Sequence, residues 1–252
     1  MKKCILFVIS VIMTACACDN VLGFIKEGNG VKLATTFEVG EFDKISVVGS
    51  VDVRYTQTAG EQFVELTCDD NLFEYYVVSV ENRTLSVKTK SGVWLKPEAE
   101  TYLTVHSPNL NSVDVSGSGD CFLNSDLTSE GDFSYKVSGS GDLFSSYTVS
   151  CRDFTAKVSG SGDFVLRKLN ADKAGFGISG SGNISVDGLT AESISINITG
   201  SGDGEITCID AGDIDVSISG SGDVILRGNA RSLNSKIHGS GNVDRDHLTL
   251  SN

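Results

Sequence analysis

The sequence is short of several residue types and patterns, and each shortage excludes a class of protein. Its 252 residues include one Trp and two Pro, but 40% are apolar and 21% are charged, which is typical of a folded chain rather than a disordered one. No apolar run reaches the ~18 to 20 residues that a transmembrane helix needs. There is no run of Lys and Arg, and 20 basic residues stand against 33 acidic ones. The sequence therefore predicts no nucleic-acid partner.

Residues typical of catalytic and metal sites are also scarce. The three histidines, His106, His238 and His247, show no Ser-His-Asp, Cys-His or metal-ligand spacing. Five of the cysteines lie beyond residue 16 and include no Cys-x-x-Cys pair, which is typical of buried apolar residues or of one chance disulfide. They are Cys18, Cys68, Cys121, Cys151 and Cys208. We therefore predict no catalytic residue, no cofactor and no metal other than the calcium considered below, and the sequence favours a non-enzymatic protein.

The N-terminus predicts an export signal. Lys2 and Lys3 precede an apolar run and then small residues, which is the order found in secretory signals. The segment Met13-Thr14-Ala15-Cys16 resembles a bacterial lipobox, in which the signal is cut before the cysteine and the thiol of that cysteine is acylated. Acylation of Cys18 and a short buried N-terminal helix are the alternatives.

These features divide the chain into three parts. We expect a lipoprotein signal peptide at residues 1–15, a lipid-attached tether at 16–34 and a single domain at 35–252. The acidic body repels an anionic membrane surface, so the attachment to the membrane is expected to come from acyl chains on Cys16. The predicted location is the cell envelope, at the outer membrane.

A repeated motif dominates the rest of the chain. Gly-Ser-Gly occurs seven times, at intervals of 22, 21, 20, 20, 20 and 19 residues, and each copy is followed by Asp or Asn. Apolar and polar residues alternate around each copy, which predicts strands with one buried face. The period is too short for helical-pair repeats, and the Leu pattern of leucine-rich repeats is missing. The copies begin at Gly117, Gly139, Gly160, Gly180, Gly200, Gly220 and Gly239.

Such repeats predict an all-β fold: a right-handed parallel β-helix, or solenoid, with coils of about 20 residues stacked about 4.8 Å apart. The motif glycines have two possible roles, which are to let opposite walls approach where no Cβ fits or to supply a positive φ at a corner. Residues 35–110 are strand-like and lack the motif, apart from a degenerate copy at Val48-Gly49-Ser50-Val51-Asp52. This N-terminal β-rich segment is expected to cap the open edge of the stack.

Four segments of the chain carry a family resemblance. They are Phe42-Asp43-Lys44-Ile45, Val51-Asp52-Val53, Leu85-Ser86-Val87, and Ser107-Pro108-Asn109-Leu110 leading into Val115-Ser116-Gly117-Ser118-Gly119-Asp120. Together they resemble the auto-transporter adhesin head GIN domain family of exported bacterial proteins, over about residues 35–245. The resemblance implies a right-handed parallel β-helix and an exported, often lipid-anchored protein, and it carries over no catalytic residues.

The residue after each Gly-Ser-Gly is a candidate site. Stacked at the coil spacing, these side chains form a column in which neighbouring carboxylates repel each other by about 1 kcal/mol in water. A Ca²⁺ ion between them would relieve this repulsion. Alternatively, they bond the backbone of the turns and face water. The candidates are Asp120, Asp142, Asp163, Asn183, Asp203, Asp223 and Asn242.

A column of hydroxyl groups is predicted beside the acidic one. With its neighbours two residues earlier in each coil, it is a candidate face for recognising a glycan or a surface protein. The alternative is a solvated surface with no binding role. The candidates are Ser118, Ser140, Ser161, Ser181, Ser201, Ser221 and Ser240, with Ser116, Ser138, Ser159, Ser179, Thr199, Ser219 and His238 alongside.

The sequence thus favours a non-enzymatic cell-envelope lipoprotein that presents a rigid β-solenoid surface for binding or adhesion. Its expected partners are the membrane, through the N-terminal lipid, and a glycan or surface protein. The first alternative is a polysaccharide-degrading or polysaccharide-binding β-helix protein, and the second is a purely structural envelope protein. A pocket with two carboxylates, or with a carboxylate and an Arg, would favour an enzyme.

Overall fold

The computed structural model describes residues 24–251. The predicted signal peptide, Cys16, Cys18 and the first part of the predicted tether lie outside the described residues. Within residues 24–251 there are strands, one short 3-10 helix (Phe73–Tyr75) and no α-helix, and no helix there is long and apolar enough to cross a membrane. The strands are β1 (Phe24–Glu27), β2 (Lys32–Phe37), β3 (Lys44–Gly49), β4 (Asp52–Gln57), β5 (Phe63–Asp69), β6 (Tyr76–Glu81), β7 (Thr84–Thr89), β8 (Val93–Lys96), β9 (Tyr102–Ser107), β10 (Ser112–Gly117), β11 (Cys121–Leu123), β12 (Leu127–Thr128), β13 (Phe133–Gly139), β14 (Leu143–Ser150), β15 (Asp153–Gly160), β16 (Phe164–Gly180), β17 (Ile184–Gly200), β18 (Gly204–Gly220), β19 (Val224–Gly239) and β20 (Val243–Leu250).

Each coil contributes to two walls of parallel strands. Wall A contains the segments that end at the first glycine of each motif, and wall B contains the segments that begin just after the motif. In wall A, β7, β3, β10, β13, β15 and the second halves of β16 to β19 pair in parallel. In wall B, β9, β4, β11, β14, the first halves of β16 to β19, and β20 do the same. The predicted parallel solenoid with coils of about 20 residues is confirmed.

The Gly-Ser-Gly motif forms the corner between the walls, and stacking demands both of its glycines. Gly200 has a φ of 125°, and a Cβ there would lie 2.2 Å from the carbonyl oxygen of Gly180 in the preceding coil. A Cβ on Gly202 would lie 2.0 Å from the carbonyl oxygen of Gly182. The predicted positive φ at a corner is confirmed, whereas the predicted approach of opposite walls is wrong: the close approach that excludes a Cβ is between successive coils.

Apolar side chains fill the space between the walls. In the middle coils, aromatic rings predominate: the centroid of Phe154 lies 6.0 Å from that of Phe133, 5.6 Å from that of Phe164 and 5.7 Å from that of Phe176. In the later coils, Ile predominates at the inward positions of β17 and β18. Because the inward side chains of every coil pack against those of the next coil, the core runs along the stack rather than lying within any one repeat.

Antiparallel strands terminate the parallel stack at its N-terminal end. In wall A, β6 pairs antiparallel with β7. In wall B, β5 pairs antiparallel with β9, and β2 pairs antiparallel with β5. An antiparallel strand covers the edge that the first parallel strand would otherwise expose, so this region is the cap that the sequence predicted.

The chain is structured before residue 35. Strand β2 begins at Lys32 and pairs with β5, and β1 pairs in parallel with β8 as a separate two-stranded sheet. The described part of the predicted tether, residues 24–34, therefore contributes strands, which corrects the expected boundary at residue 35. The sequence argument failed here because these strands are short and their partners are distant along the chain.

Candidate functional site

The predicted acidic residues form one column, which we call the Asp/Asn ladder. In each rung, the side-chain Oδ1 accepts a hydrogen bond from the backbone N–H of the next rung, at distances from 2.6 to 3.1 Å. The carbonyl of each rung accepts the N–H that follows the corner in the preceding coil, as between Ile184 and Asp203 at 2.8 Å. These bonds pair backbone groups that the corner leaves without a sheet partner. The ladder thus has the turn-bonding role that the sequence allowed.

The ladder begins one coil earlier than the repeat predicted. Oδ1 of Asp52, in the degenerate motif, accepts the N–H of Asp120 at 2.9 Å. Burial, together with repulsion from Asp120, raises the pKa of Asp52. The pKa of Asp142 is also raised, chiefly by burial and then by Asp120 and Asp163, and the bond that its carboxylate accepts from the backbone opposes this shift.

No bound ion is needed to explain the ladder bonds. Within residues 24–251, no group of three or more His, Cys, Asp or Glu side chains has the arrangement of a metal site. Asn183 and Asn242 also interrupt the run of charges. Calcium binding by the ladder stays a prediction, which calorimetry on the protein with millimolar Ca²⁺ tests.

The predicted hydroxyl residues also stack, and all of them are exposed. The serines at the centre of each motif lie at the corner, and each donates its backbone N–H to a glycine carbonyl of the preceding coil, as Ser201 does to Gly180 at 2.9 Å. The column that includes Ser179 and Thr199 lies next to the corner, on the outside of wall A. Side-chain hydroxyls of both columns therefore face solvent, in register from coil to coil.

Two further outward columns extend this surface, and the sequence analysis missed them. We call the outer surface of wall A the hydroxyl face. Its additional columns consist mostly of short polar residues, with a few lysines and glycines. They are Ser112, Ser134, Thr155, Gly175, Ser195, Asp215 and Asn234, and Asp114, Lys136, Lys157, Gly177, Asn197, Ser217 and Lys236.

The hydroxyl face contains a depression of about 440 Å³ around Gly175 and Gly177. Thr155, Lys157 and Asn197 are among its lining residues. A Cβ on Gly175 would lie 3.7 Å from the carbonyl oxygen of Phe154, and one on Gly177 would lie 3.7 Å from Cγ of Lys157, which are ordinary contacts. Neither glycine is therefore required by stacking. The detectable signal in the sequence was two glycines at outward positions of one coil, outside the motif.

A second depression, of about 430 Å³, lies on the wall B side of the ladder and contains Asp203, Glu205 and Asp223. Three carboxylates in one hollow meet the condition that we set for an enzyme. However, the Oδ1 atoms of Asp203 and Asp223 each accept a ladder N–H, and Glu205 forms an ion pair with Arg227. Each carboxylate already has a structural partner.

The thiols of the described residues are poor nucleophiles. Cys68, Cys121 and Cys208 are buried, Cys151 is half-buried, and these four are free cysteines. Burial raises the pKa of Cys121 to about 12 and that of Cys208 to about 11, so both are protonated at neutral pH. They act as small apolar core residues, which is one of the two roles that the sequence predicted.

Comparisons with known proteins agree with this geometry. The family profile described as "Putative auto-transporter adhesin, head GIN domain" matches residues 41–208 and 174–252. A search of curated protein sequences finds no match.

Solved structures share the fold over most of the chain. A "putative adhesin" from Bacteroides fragilis is 22% identical, with a TM-score of 0.78 over 87% of this chain and 99% of that one. A "putative adhesin" from Parabacteroides distasonis is 25% identical, with a TM-score of 0.73 over 87% and 99%. A "putative lipid binding protein" from the same species is 23% identical, with a TM-score of 0.67 over 87% and 98%. The resemblance found in the sequence is confirmed, and the chain belongs to the auto-transporter adhesin head GIN domain family.

Proposed function

We propose that this protein is an exported, lipid-anchored envelope protein that binds a neutral glycan on its hydroxyl face, without catalysis. The observation that carries the proposal is the glycine-floored depression in a face of exposed, in-register hydroxyl groups. Membership of an adhesin-like family supports an exported or surface location.

The hydroxyl face has the chemistry of a carbohydrate-binding surface. Each Ser or Thr hydroxyl both donates and accepts hydrogen bonds, as sugar hydroxyls do. Short side chains lose little rotamer freedom when a ligand orders them. The columns repeat at the coil spacing of about 4.8 Å, so an extended polymer can meet equivalent groups in successive coils.

The depression gives this face one place of closest approach. Its volume lies within the range of ~300 to 1,000 Å³ that is typical of ligand sites. Glycine in a strand interior costs about 0.5 to 1 kcal/mol relative to Ala, and at Gly175 and Gly177 no steric or φ requirement offsets that cost. Glycine in a strand often marks a site where a ligand approaches the backbone closely. A sugar ring can lie flat on this backbone, with Lys157 and Asn197 beside it.

Anchoring through acylated Cys16 would hold the solenoid at the envelope. The lipobox-like segment supports this part of the proposal, and the acidic charge of the body makes an acyl anchor more suitable than a basic patch. Mass spectrometry of the N-terminal peptide from protein made in a lipoprotein-processing bacterium tests it, because an acyl mass on Cys16 is expected. A mature chain that begins elsewhere, or that carries a free Cys16 thiol, contradicts it.

A glycan array tests the binding face. The full mature chain carrying Cys16→Ser, which removes the acyl group, is applied with and without Gly177→Thr. A threonine at this outward strand position fills the depression, so we expect binding to weaken at least about tenfold, or about 1.4 kcal/mol. Ser146→Thr, at an exposed serine of β14 in wall B, is the matched control and should retain binding. Equal loss in both variants, or no glycan bound by the parent protein, overturns the proposal.

The three-carboxylate depression keeps polysaccharide cleavage as a second candidate. The same glycans, incubated with the protein, are assayed for new reducing ends. If ends appear and Glu205→Gln abolishes them, then the protein is an enzyme. Binding without release of ends supports the non-enzymatic proposal.

A further inference from the structure

An exposed apolar ribbon lies at the start of the described chain. It consists of β1 and β8, which pair only with each other among the described strands, with Ile25 directly opposite Trp94 and Phe24 opposite Val93. The exposed fractions are 74% for Phe24, 69% for Ile25 and 70% for Trp94. These are the three most exposed large apolar residues among those described.

Nothing in residues 24–251 covers the face of the ribbon that carries Ile25 and Trp94. A two-stranded sheet is marginally stable by itself in water, and here it also exposes an aromatic and an aliphatic side chain next to each other. Exposed apolar residues clustered in this way mark a contact with another protein or with a membrane. The contact must be with something outside the solenoid body.

The position of the ribbon in the chain favours a membrane. Phe24 follows Cys16 by eight residues, which span at most about 29 Å when fully extended. An acyl group on Cys16 inserted in a bilayer therefore keeps the ribbon within about one bilayer thickness of the lipid surface. We propose that the β1–β8 ribbon inserts Ile25 and Trp94 into the headgroup layer of the bilayer that holds Cys16. This inference rests on the lipid anchor of the proposed function.

The ribbon has the chemistry of an interfacial contact. Trp is enriched where membranes meet water, because its ring is apolar and its N–H finds a partner among headgroups. On the face that carries Ile25 and Trp94, the following pair is Glu27 and Lys96, which form an ion pair of 2.9 Å with no net charge. Lys26 lies on the opposite face of β1 and over the ring of Tyr75, 5.4 Å from its centroid, so that face is turned towards the solenoid body. An acyl chain plus this second contact fixes the end of the solenoid to the membrane more firmly than one chain does.

Trp94 reports on its own environment because it is the single Trp in the chain. The full mature, acylated protein is reconstituted into vesicles of phosphatidylethanolamine and phosphatidylglycerol, and Trp94 emission is compared with that of Cys16→Ser protein in solution. We expect the emission to shift to shorter wavelength on the vesicles. We also expect quenching by lipids brominated near the headgroup to exceed quenching by lipids brominated near the chain end.

Substitutions that keep Trp94 identify the ribbon as the contact. Phe24→Ser with Ile25→Ser should reduce the shift and the quenching, whereas Ile209→Ser, at an exposed Ile of a distant coil, should leave both unchanged. Circular dichroism verifies that each variant retains its strands.

The outcomes separate the ribbon from the anchor. If the protein floats with vesicles and carries the acyl mass, but Trp94 emits as in solution, then the ribbon inference is wrong and the anchor stands. If Cys16 carries no acyl group, then both fall. A shift that appears without vesicles and grows with protein concentration assigns the ribbon to a second copy of the chain and overturns the membrane contact.

Discussion

The repeat coils and the N-terminal cap use the same two residue types in different ways. In the coils, glycine is fixed by the backbone of the preceding coil, and Asp recurs at an exposed corner where each carboxylate bonds one N–H. In the cap, Gly49 has a φ of 118°, but a Cβ added there would meet no atom within 4 Å, and Asp69 is fully buried. In the coils, the same glycine contact and the same Asp hydrogen bond therefore recur in every rung. In the cap, each such interaction is made by a single residue.

Asp69 is the clearest case in the cap, because its one carboxylate accepts three backbone hydrogen bonds. Its carboxylate accepts the N–H of Gly30 at 2.6 Å, of Glu98 at 3.1 Å and of Ala99 at 3.0 Å. These donors belong to two segments far apart in sequence, the one before β2 and the one between β8 and β9. One side chain thus holds together the irregular segments at the end of the stack, where no repeat can supply the register.

The largest expected effect comes from breaking the glycine contact between coils. Gly200→Ala adds a Cβ against the carbonyl of Gly180 at a positive φ, and it should lower the free energy of unfolding by about 4 kcal/mol. Gly202→Ala meets only the close contact and should cost about 2 kcal/mol. Gly49→Ala meets only the unfavourable φ and should cost about 1 to 2 kcal/mol. Denaturant unfolding measures all three, and equal costs at Gly49 and Gly200 would refute the role of coil contact.

The next effect is in the cap. Asp69→Ala leaves three backbone N–H groups without their acceptor, and we expect a loss of about 3 kcal/mol. Asp70→Ala is the matched control, because the neighbouring carboxylate is exposed and bonds only the side chain of Asn29 among the described residues. Hydrogen exchange should show the loss of protection concentrated in β2, β5 and β9. A uniform loss over the whole stack contradicts a local role for Asp69.

The difference between the two regions also explains what the sequence could predict. Seven copies of the motif revealed the coils and the column of Asp and Asn residues, because each rung repeats the same physical requirement, but they left the corner as one of two possible roles of the glycines. The role of Asp69 and the β1–β8 pairing each occur once and depend on partners more than 25 residues away, so no repeated pattern in the sequence predicts them. The depression at Gly175 and Gly177 was not predicted, because these two glycines lie outside the repeated motif and their role is not one that stacking requires. The glycines that stacking does not require are the more informative ones for binding.

The ladder should respond to pH in a defined direction. The pKa of Asp142 in the folded protein lies above its ordinary value of 3.8, so folding favours its protonated form. The stabilisation that this provides is complete below about pH 3.8 and is lost as the pH rises through the folded pKa. Asp142→Asn retains an oxygen acceptor and does not titrate. We therefore expect this variant to match the parent protein at pH 3 and to exceed its stability slightly at pH 7, by less than about 1 kcal/mol, because solvent screens the partly exposed carboxylate.

The reverse change provides the control for that experiment. Asn183 donates its side-chain amide to Asp163 at 2.9 Å, so Asn183→Asp replaces a hydrogen bond with a repulsion between carboxylates. This variant should lose stability as the pH rises, and thermal unfolding at a series of pH values measures both trends. If Asp142→Asn is less stable than the parent at pH 7, then the ladder favours charged rungs, which would restore a reason to look for a bound cation.

The smallest expected effect is that of Gly177→Ala, and it best separates glycines that stacking requires from glycines that it does not require. Gly177→Ala places a Cβ 3.7 Å from its nearest neighbour, at a backbone conformation that other residues adopt, and it should raise the free energy of unfolding by about 0.5 kcal/mol. The same substitution at Gly200 is expected to have the opposite sign, although both glycines lie in the same wall, one coil apart. A gain at Gly177 means that the fold is more stable without this glycine, which supports a role for it in contact with something outside the chain. A loss at Gly177 similar to that at Gly202 would instead make it one more glycine that stacking requires, and would remove the main support for a binding site in the depression.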